Sequence, residues 1–143
     1  MGMTAGERLG ADIKRAEQAL MAAKSAALRG VDLSVAQYAA LFALDGNPGM
    51  SGAALARACL VTPQAMAAVL KHLEERGLIA RSVHPWHQKM LETRLTDAGS
   101  EVLRLADEQA VRIERRLADA FTPQERDTLR ALLARSVEAI KQD

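Results

Sequence analysis

Apolar residues recur at steps of three and four between residues 9 and 30, and this spacing places them on one face of a helix. That face consists of Leu9, Ile13, Ala16, Leu20, Ala23 and Ala27. We expect Gly30 to end this helix. A second helix begins at SVAQ (34–37), a capping box in which Ser34 and Gln37 can each bond the other's backbone N–H group. The turn residues DGNPG at 45–49 close it.

Two shorter helices follow and meet at a tight turn. Ser51 caps the first, and Thr62 with Pro63 opens the second, which runs to Arg76 and stops at Gly77. The second helix has an apolar stripe made of Met66, Val69, Leu70 and Leu73. Its other faces carry small or polar residues, namely Thr62, Gln64, Ala65, Ala67, Ala68, Lys71, His72 and Glu75. This pattern predicts a helix-turn-helix that turns a small, polar surface to solvent.

The stretches LIARSV (78–83) and MLETRL (90–95) alternate apolar and polar residues and flank a proline-containing turn, which predicts a β-hairpin. Thr96 then caps a long helix, and TPQE at 122–125 opens the last one. The first of these helices has a stripe of Val102, Leu105, Gln109, Ile113 and Leu117. The second has a stripe of Leu129, Leu132, Leu133, Ser136, Val137 and Ile140.

A helix-turn-helix followed at once by a hairpin is typical of the winged-helix arrangement. Its second helix has the diameter to enter a DNA major groove, and the hairpin, or wing, reaches an adjacent groove or the backbone. We therefore predict a mainly α fold with a small β-hairpin wing, a winged helix-turn-helix with long N- and C-terminal helices. The apolar stripes of those terminal helices have too little of their own domain to cover, which favours association of two chains.

The composition agrees with one helical domain. The chain has 143 residues, 49% of them hydrophobic, with only two Phe, one Tyr and one Trp. A single cysteine, Cys59, excludes an intramolecular disulfide. The N-terminal residues lack the apolar core of a signal peptide, and no apolar run approaches the roughly 20 residues needed to span a bilayer. We expect a soluble, cytoplasmic protein that does not contact membranes.

The charges are distributed unevenly along the chain. The net charge is +1, but residues 51–96 hold six basic and three acidic side chains, whereas residues 97–143 hold eight basic and ten acidic ones. A basic middle segment suits a polyanion. No nucleophile is paired with a base and no Gly-rich phosphate loop is present, so the sequence does not indicate an enzyme, and it indicates no cofactor.

The chain resembles the MarR family of bacterial transcription regulators over almost its whole length. The resemblance lies in residues 33–82, which end in LEERGLIARS, in LTDAG at 95–99, and in FTPQERDTLRALLARSVEAI at 121–140. It implies a single domain, 1–143, in which 1–33 and 97–143 form dimerisation helices and 34–96 form the winged helix-turn-helix lobe. It further implies a homodimer that binds a pseudo-palindromic operator in double-stranded DNA, as a repressor relieved by a small-molecule effector.

From this resemblance and the predicted faces we assign two sets of residues. The expected DNA-binding residues are Ser51, Arg57, Thr62, Pro63, Gln64, Ala67, Ala68, Lys71, Arg81, His84, His87 and Lys89. The expected dimerisation residues are Leu9, Ile13, Leu129, Leu132, Leu133, Val137 and Ile140.

The wing departs from the family pattern. Members commonly have an Asp-x-Arg element there, in which the Arg enters the minor groove, and this chain has His87 and Lys89 at those positions. Lysine keeps the charge but lacks the planar guanidinium that suits a narrow groove. Ala67 and Ala68 also replace longer polar side chains. An alternative function is therefore a winged-helix dimer retained for ligand or protein binding, with weakened DNA contact.

Three further features allow a functional and a plainer interpretation. His84 and His87, with His72 as a third ligand, could hold a metal, but zinc sites need three or four converging ligands and surface histidines are the preferred interpretation. Trp86 could stack on a base or cover a ligand, although simple packing of its ring, against the hairpin or a crystal neighbour, is slightly favoured. Cys59 falls where a small core thiol is favoured over a redox sensor.

Overall fold

The computed structural model describes residues 2–83, 86 and 91–141. Its elements are α1 (Leu9–Leu28), α2 (Val35–Gly46), α3 (Gly52–Ala58), α4 (Pro63–Glu75), β1 (Ile79–Val83), β2 (Leu91–Leu95), α5 (Asp97–Asp119) and α6 (Pro123–Lys141). This order confirms the predicted winged helix-turn-helix with long terminal helices. The chain divides into two compact units, unit 1 (Met1–Ala110) and unit 2 (Val111–Asp143).

Hydroxyl side chains begin five of the helices, as the sequence predicted. Each oxygen lies 3.0–3.2 Å from the backbone nitrogen three residues further on and accepts its hydrogen bond. The capping residues are Ser34, Ser51, Thr62, Thr96 and Thr122. Each cap satisfies an N–H group that has no partner inside its helix, which stabilises the helix by about 1 kcal/mol.

The core of unit 1 surrounds α4. Met66, Leu70 and Leu73 are buried, as predicted, and Val69 packs at the edge of the core. Buried side chains from the other helices complete this cluster, including Leu28, Leu41, Leu44, Leu55, Leu103 and Ala106. Because one face of α4 is fully occupied by this core, its opposite face is left for contacts outside the lobe.

The two strands pair antiparallel, with Ile79 opposite Leu95 and Val83 opposite Leu91. A further bridge, between Met50 and Thr93, was not predicted from the sequence. In this bridge the Gly49 N–H donates to the Thr93 carbonyl, and the Thr93 N–H donates to the Met50 carbonyl, both at 3.0 Å. The end of the α2–α3 loop therefore extends the sheet and fixes the base of the wing to the helix-turn-helix.

Two helix ends differ from the prediction. Helix α1 ends at Leu28, and Arg29–Val31 form a 3-10 turn, so Gly30 lies within that turn. Asp32, with a φ of 54°, provides the left-handed residue that reverses the chain. Helix α2 continues through Gly46, one residue past the start of the predicted turn at Asp45.

None of the predicted stripe residues of α5 is among its buried residues, which agrees with the expectation that this stripe has little of its own domain to cover. The buried residues of α5 are Gly99, Leu103, Ala106 and Ala110, whereas Leu105 and Leu117 are exposed. The core-facing stripe is built of smaller residues, which allow α5 to approach the lobe closely. Helix α5 thus has a second apolar face, which its own chain leaves partly exposed.

The terminal helices expose the residues predicted for dimerisation. Helix α6 contains no buried residue. Leu132, Leu133 and Val137 are almost half exposed and Ile140 is 77% exposed, while Leu129 is partly buried. On α1, Leu9 and Ile13 are exposed as well.

Among the described residues, no single helix is long and apolar enough to cross a membrane. One bent pair of helices, α3 with α4, passes the same test of length and composition.

Candidate nucleic-acid interface

The exposed face of α4 begins at its first turn. Thr62 Oγ1 accepts the Ala65 N–H, and Pro63 occupies the first helical position, where its missing N–H costs nothing. The side chains that follow on this face are all exposed, namely Gln64, Ala67, Ala68 and Lys71. Gln64 supplies an amide donor and acceptor, Lys71 a positive charge, and the alanines a flat apolar surface between them.

Helix α3 presents α4 at a steep angle. The two helix axes differ by 111°, within the roughly 90–120° typical of a helix-turn-helix. Ser51 caps α3, and Arg57 is exposed in its last turn. The sequence-predicted residues of α3 and α4 are therefore brought together on one helix-turn-helix.

The turn between these helices contains Leu60, whose backbone conformation was not predicted from the sequence. Leu60 has a φ of 57° and is 91% exposed. A left-handed conformation is strained for a residue with a Cβ atom, and glycine is the usual occupant of such a turn. The sequence carries no signal for it, because Leu60 interrupts neither helical pattern.

Arg81 lies in β1, but its guanidinium is engaged within the chain. Its Nε and Nη2 lie 3.2 and 3.3 Å from the two carboxylate oxygens of Glu74, at the end of α4. This bidentate pair is partly shielded, since the Arg81 side chain is only 25% exposed. The pair ties the wing to α4, and DNA contact by Arg81 stays a prediction.

The tip of the wing lies largely outside the described residues. The predictions for His84, His87 and Lys89 fall there. Trp86 is described and is 85% exposed, and both interpretations of its ring stay predictions. Arg94, on β2, is a basic residue of the wing that was not among the predicted DNA-binding residues. It is half exposed, pairs with Glu92 at 3.2 Å and lies over Gly49.

Cys59 ends α3 and packs against the core of unit 1 as a partly buried thiol, which confirms the interpretation as a small core residue. Burial raises the pKa of the Cys59 thiol, because removal from water disfavours the thiolate.

In the described part of the chain, no group of three or more His, Cys, Asp or Glu side chains could hold a metal ion. His72 is exposed near the end of α4.

Comparison with known proteins agrees with this geometry. Residues 31–88 match the sequence profile of the MarR family. The HTH-type transcriptional repressor Rv2887 of Mycobacterium tuberculosis is 35% identical over 133 residues, which cover 92% of this chain and 96% of that protein.

Two solved structures are similar over nearly the whole chain. The transcriptional repressor CouR bound to a 23-mer DNA duplex gives a TM-score of 0.83 at 30% identity, covering 96% of this chain and 99% of that one. The M. tuberculosis MarR family protein Rv2887 in complex with p-aminosalicylic acid gives a TM-score of 0.70 at 30% identity, covering 90% and 97%. These relatives are regulators of transcription and not enzymes. The sequence profile, the full-length relative and the shared fold together show that this chain belongs to the MarR family.

Proposed function

We propose that this protein is a homodimeric, DNA-binding transcriptional repressor that acts in the cytoplasm and releases its operator when a small organic acid binds. Two relatives support this assignment. Rv2887 is named a transcriptional repressor, CouR was solved on a DNA duplex, and Rv2887 was solved with salicylic acid and with p-aminosalicylic acid.

The observation that carries the proposal is the exposed face of α4. Gln64, in the first turn, has the amide geometry that pairs with adenine in the major groove, and Ala67 and Ala68 suit contact with thymine methyl groups. Lys71 and Arg57 are exposed cations that neutralise backbone phosphates. We assign Ser51, Thr62, Pro63, Arg81 and the wing residues His84, His87 and Lys89 to the flanks of the same interface.

The exposed apolar faces of the terminal helices support the dimer. We assign residues 1–33 and 97–143 to dimerisation and residues 34–96 to the DNA-binding lobe. The contact residues would be Leu9, Ile13, Leu129, Leu132, Leu133, Val137 and Ile140. A two-fold dimer presents two α4 helices, so its operator is expected to be pseudo-palindromic.

The test is fluorescence anisotropy with a labelled fragment of the promoter beside the protein's own reading frame, titrated at several salt concentrations. Lys71→Ala and Arg57→Ala should weaken binding to operator and scrambled DNA alike. Each should also reduce the salt slope, the steepness with which the logarithm of the binding constant falls with the logarithm of the salt concentration, by about 1. Gln64→Ala should instead reduce the preference for operator over scrambled DNA. Lys141→Ala, which removes one exposed charge at the end of α6, is the control and should change neither quantity.

A second candidate function rests on the same face. Ala67 and Ala68 give α4 few groups that read bases, and the Arg81 guanidinium is engaged with Glu74. Such a lobe could serve a winged-helix dimer kept for ligand or protein binding. A folded dimer with no DNA affinity at low salt would support this alternative over repression.

A further inference from the structure

Leu60, in the turn between α3 and α4, carries a large apolar side chain that its own chain leaves uncovered. It is 91% exposed, the highest value among the large apolar residues that the structure describes. Its two neighbours differ from it, since Cys59 and Val61 are partly buried and pack against the core of unit 1. The turn is therefore anchored by the residues on either side, and it projects Leu60 outwards.

The backbone at Leu60 is strained as well as exposed. Apart from glycines, only Leu60 and Asp32 have a positive φ among the described residues. The Leu60 N–H donates to the Arg57 carbonyl at 3.3 Å. The Val61 N–H donates to the Ala56 carbonyl at 3.1 Å. These bonds involve only the backbone, and glycine would make them without strain. Neither packing nor backbone preference explains a leucine here, and such an outlier is typical of functional sites.

The position of Leu60 connects it to the DNA-reading face. Thr62, two residues further on, caps α4, and the N-terminal residues of the second helix of a helix-turn-helix contact base edges. Arg57 lies three residues before Leu60 and Gln64 four residues after it, and both side chains are exposed. Along the chain, Leu60 therefore lies between a proposed phosphate contact and a proposed base reader.

We propose that Leu60 reads a thymine at the edge of each operator half-site, through apolar contact between its side chain and the thymine 5-methyl group. This methyl group is the apolar feature that a base pair presents in the major groove, and it marks thymine. A leucine side chain forms no hydrogen bond, so the methyl group is the part of a base edge that it can recognise. The inference rests on the proposed function, because it adds a base contact to the DNA interface of α4.

The experiment removes the methyl group from the DNA and the side chain from the protein, separately and together. Footprinting first locates the operator within the promoter fragment. Each thymine of the operator is then replaced in turn by deoxyuridine, which lacks only the 5-methyl group. Fluorescence anisotropy at one fixed salt concentration gives the affinity of the full-length protein for each duplex. Comparison of the single and combined changes isolates the contact between the two groups.

In the parent protein, replacement of one thymine near the edge of a half-site should lower affinity by about fourfold, the change expected for one buried methyl group. Leu60→Ala should bind the thymine operator more weakly, and deoxyuridine at that position should make no further difference. Leu60→Gly should behave in the same way. Because glycine suits the left-handed turn, its result separates loss of the contact from distortion of the turn.

Two controls test whether the effect belongs to Leu60. Thymines that contact Ala67 and Ala68 should keep their methyl effect in Leu60→Ala. Leu105→Ala makes the same substitution at an exposed leucine of α5, outside the helix-turn-helix. It should retain the fourfold effect at the thymine that Leu60 reads.

The outcomes separate this contact from the proposed function. A parent protein that binds neither operator nor scrambled DNA at low salt overturns the repressor assignment and the contact together. A parent protein that binds its operator, but shows no thymine whose methyl effect disappears in both Leu60→Ala and Leu60→Gly, overturns the contact alone. The contact is also overturned if Leu60→Ala weakens binding to operator and scrambled DNA equally and keeps every methyl effect, because the side chain then packs on the DNA backbone.

Discussion

Gly99, in the first turn of α5, is the position where one added methyl group should cost the fold most. A Cβ built on Gly99 would lie 1.9 Å from the carbonyl oxygen of Leu78 and 2.9 Å from its carbonyl carbon, whereas ordinary contact begins at 3.4 Å. These are backbone atoms, so no side-chain rotation relieves the clash. Leu78 is itself buried, and its carbonyl accepts the Thr96 N–H at 3.1 Å. Gly99→Ala must therefore push α5 away from the α4–β1 corner.

That displacement disrupts a connected set of hydrogen bonds. Thr96 Oγ1 donates to the Gly77 carbonyl at 2.6 Å and accepts the Gly99 N–H at 3.0 Å. Loss of this cap costs about 1 kcal/mol, and the overpacking about 1–3 kcal/mol more, against a gain of about 1 kcal/mol in helix propensity. We expect Gly99→Ala to lower the free energy of unfolding by about 2 kcal/mol.

Urea unfolding followed by circular dichroism, at one fixed protein concentration, measures this loss. Gly52→Ala is the matched control, since its Cβ would meet only the Leu70 Cδ1 atom at an ordinary 3.6 Å. It should be neutral or stabilising by up to about 1 kcal/mol. A Gly99→Ala protein whose free energy of unfolding lies within about 0.5 kcal/mol of the parent value, the range of ordinary surface substitutions, would refute the backbone clash.

Three further predictions follow from single residues. Leu60→Gly should raise stability by about 0.5–1 kcal/mol in the same urea assay, because it relieves left-handed strain at an exposed site, whereas an equal gain from Leu60→Ala would contradict the strain. Cys59 should react with Ellman's reagent more slowly than glutathione at neutral pH, because burial raises its pKa and keeps it protonated; an equally fast reaction would indicate an accessible thiolate. Val137→Glu should weaken the dimer by about 100-fold in sedimentation velocity, since it buries an unpaired charge, and a parent protein that sediments as a 15.4 kDa monomer would exclude the dimer.

The parts of the fold that depend on neighbouring residues were predictable. Helix starts at Ser34, Ser51, Thr62 and Thr96 follow from a hydroxyl residue whose partner lies three positions away, so a short stretch of sequence contains the whole interaction. The buried stripe of α4 follows equally from its helical spacing. Because α4 has only one apolar face, burying that face also determines which of its residues are exposed as candidate base readers.

Contacts between distant segments were not predictable in this way. The bridge from Met50 to Thr93 joins residues that periodicity treats separately, and nothing in the turn around Met50 has the pattern of a strand. The core-facing side of α5 was not predicted, because two of its buried residues are alanines, which mark a stripe less clearly than large apolar residues do. Ala106 and Ala110 are buried because small side chains permit close approach, and that depends on the surface that α5 meets.

The contact between Arg76 and the α1–α2 junction could not be predicted either. Arg76 looks like an ordinary solvated charge in the sequence, but its Nη1 donates to the Asp32 carbonyl at 2.6 Å. The same limit applies to Arg81. Arg81 was predicted to bind DNA because it is basic, whereas in the fold its guanidinium lies beside Glu74.

The contacts of α4 link its exposed face to two other parts of unit 1. The first half of α4 projects exposed side chains, whereas its C-terminal end is fastened from two sides of unit 1. Arg76 bonds the Asp32 carbonyl at the α1–α2 junction, and Thr96, at the start of α5, bonds the Gly77 carbonyl. Met66, Leu70 and Leu73 also pack α4 against the core along its length, so the helix moves as one body with its two attachments. We therefore expect a ligand that alters either attachment to tilt α4 as a whole and to displace Gln64 together with Lys71.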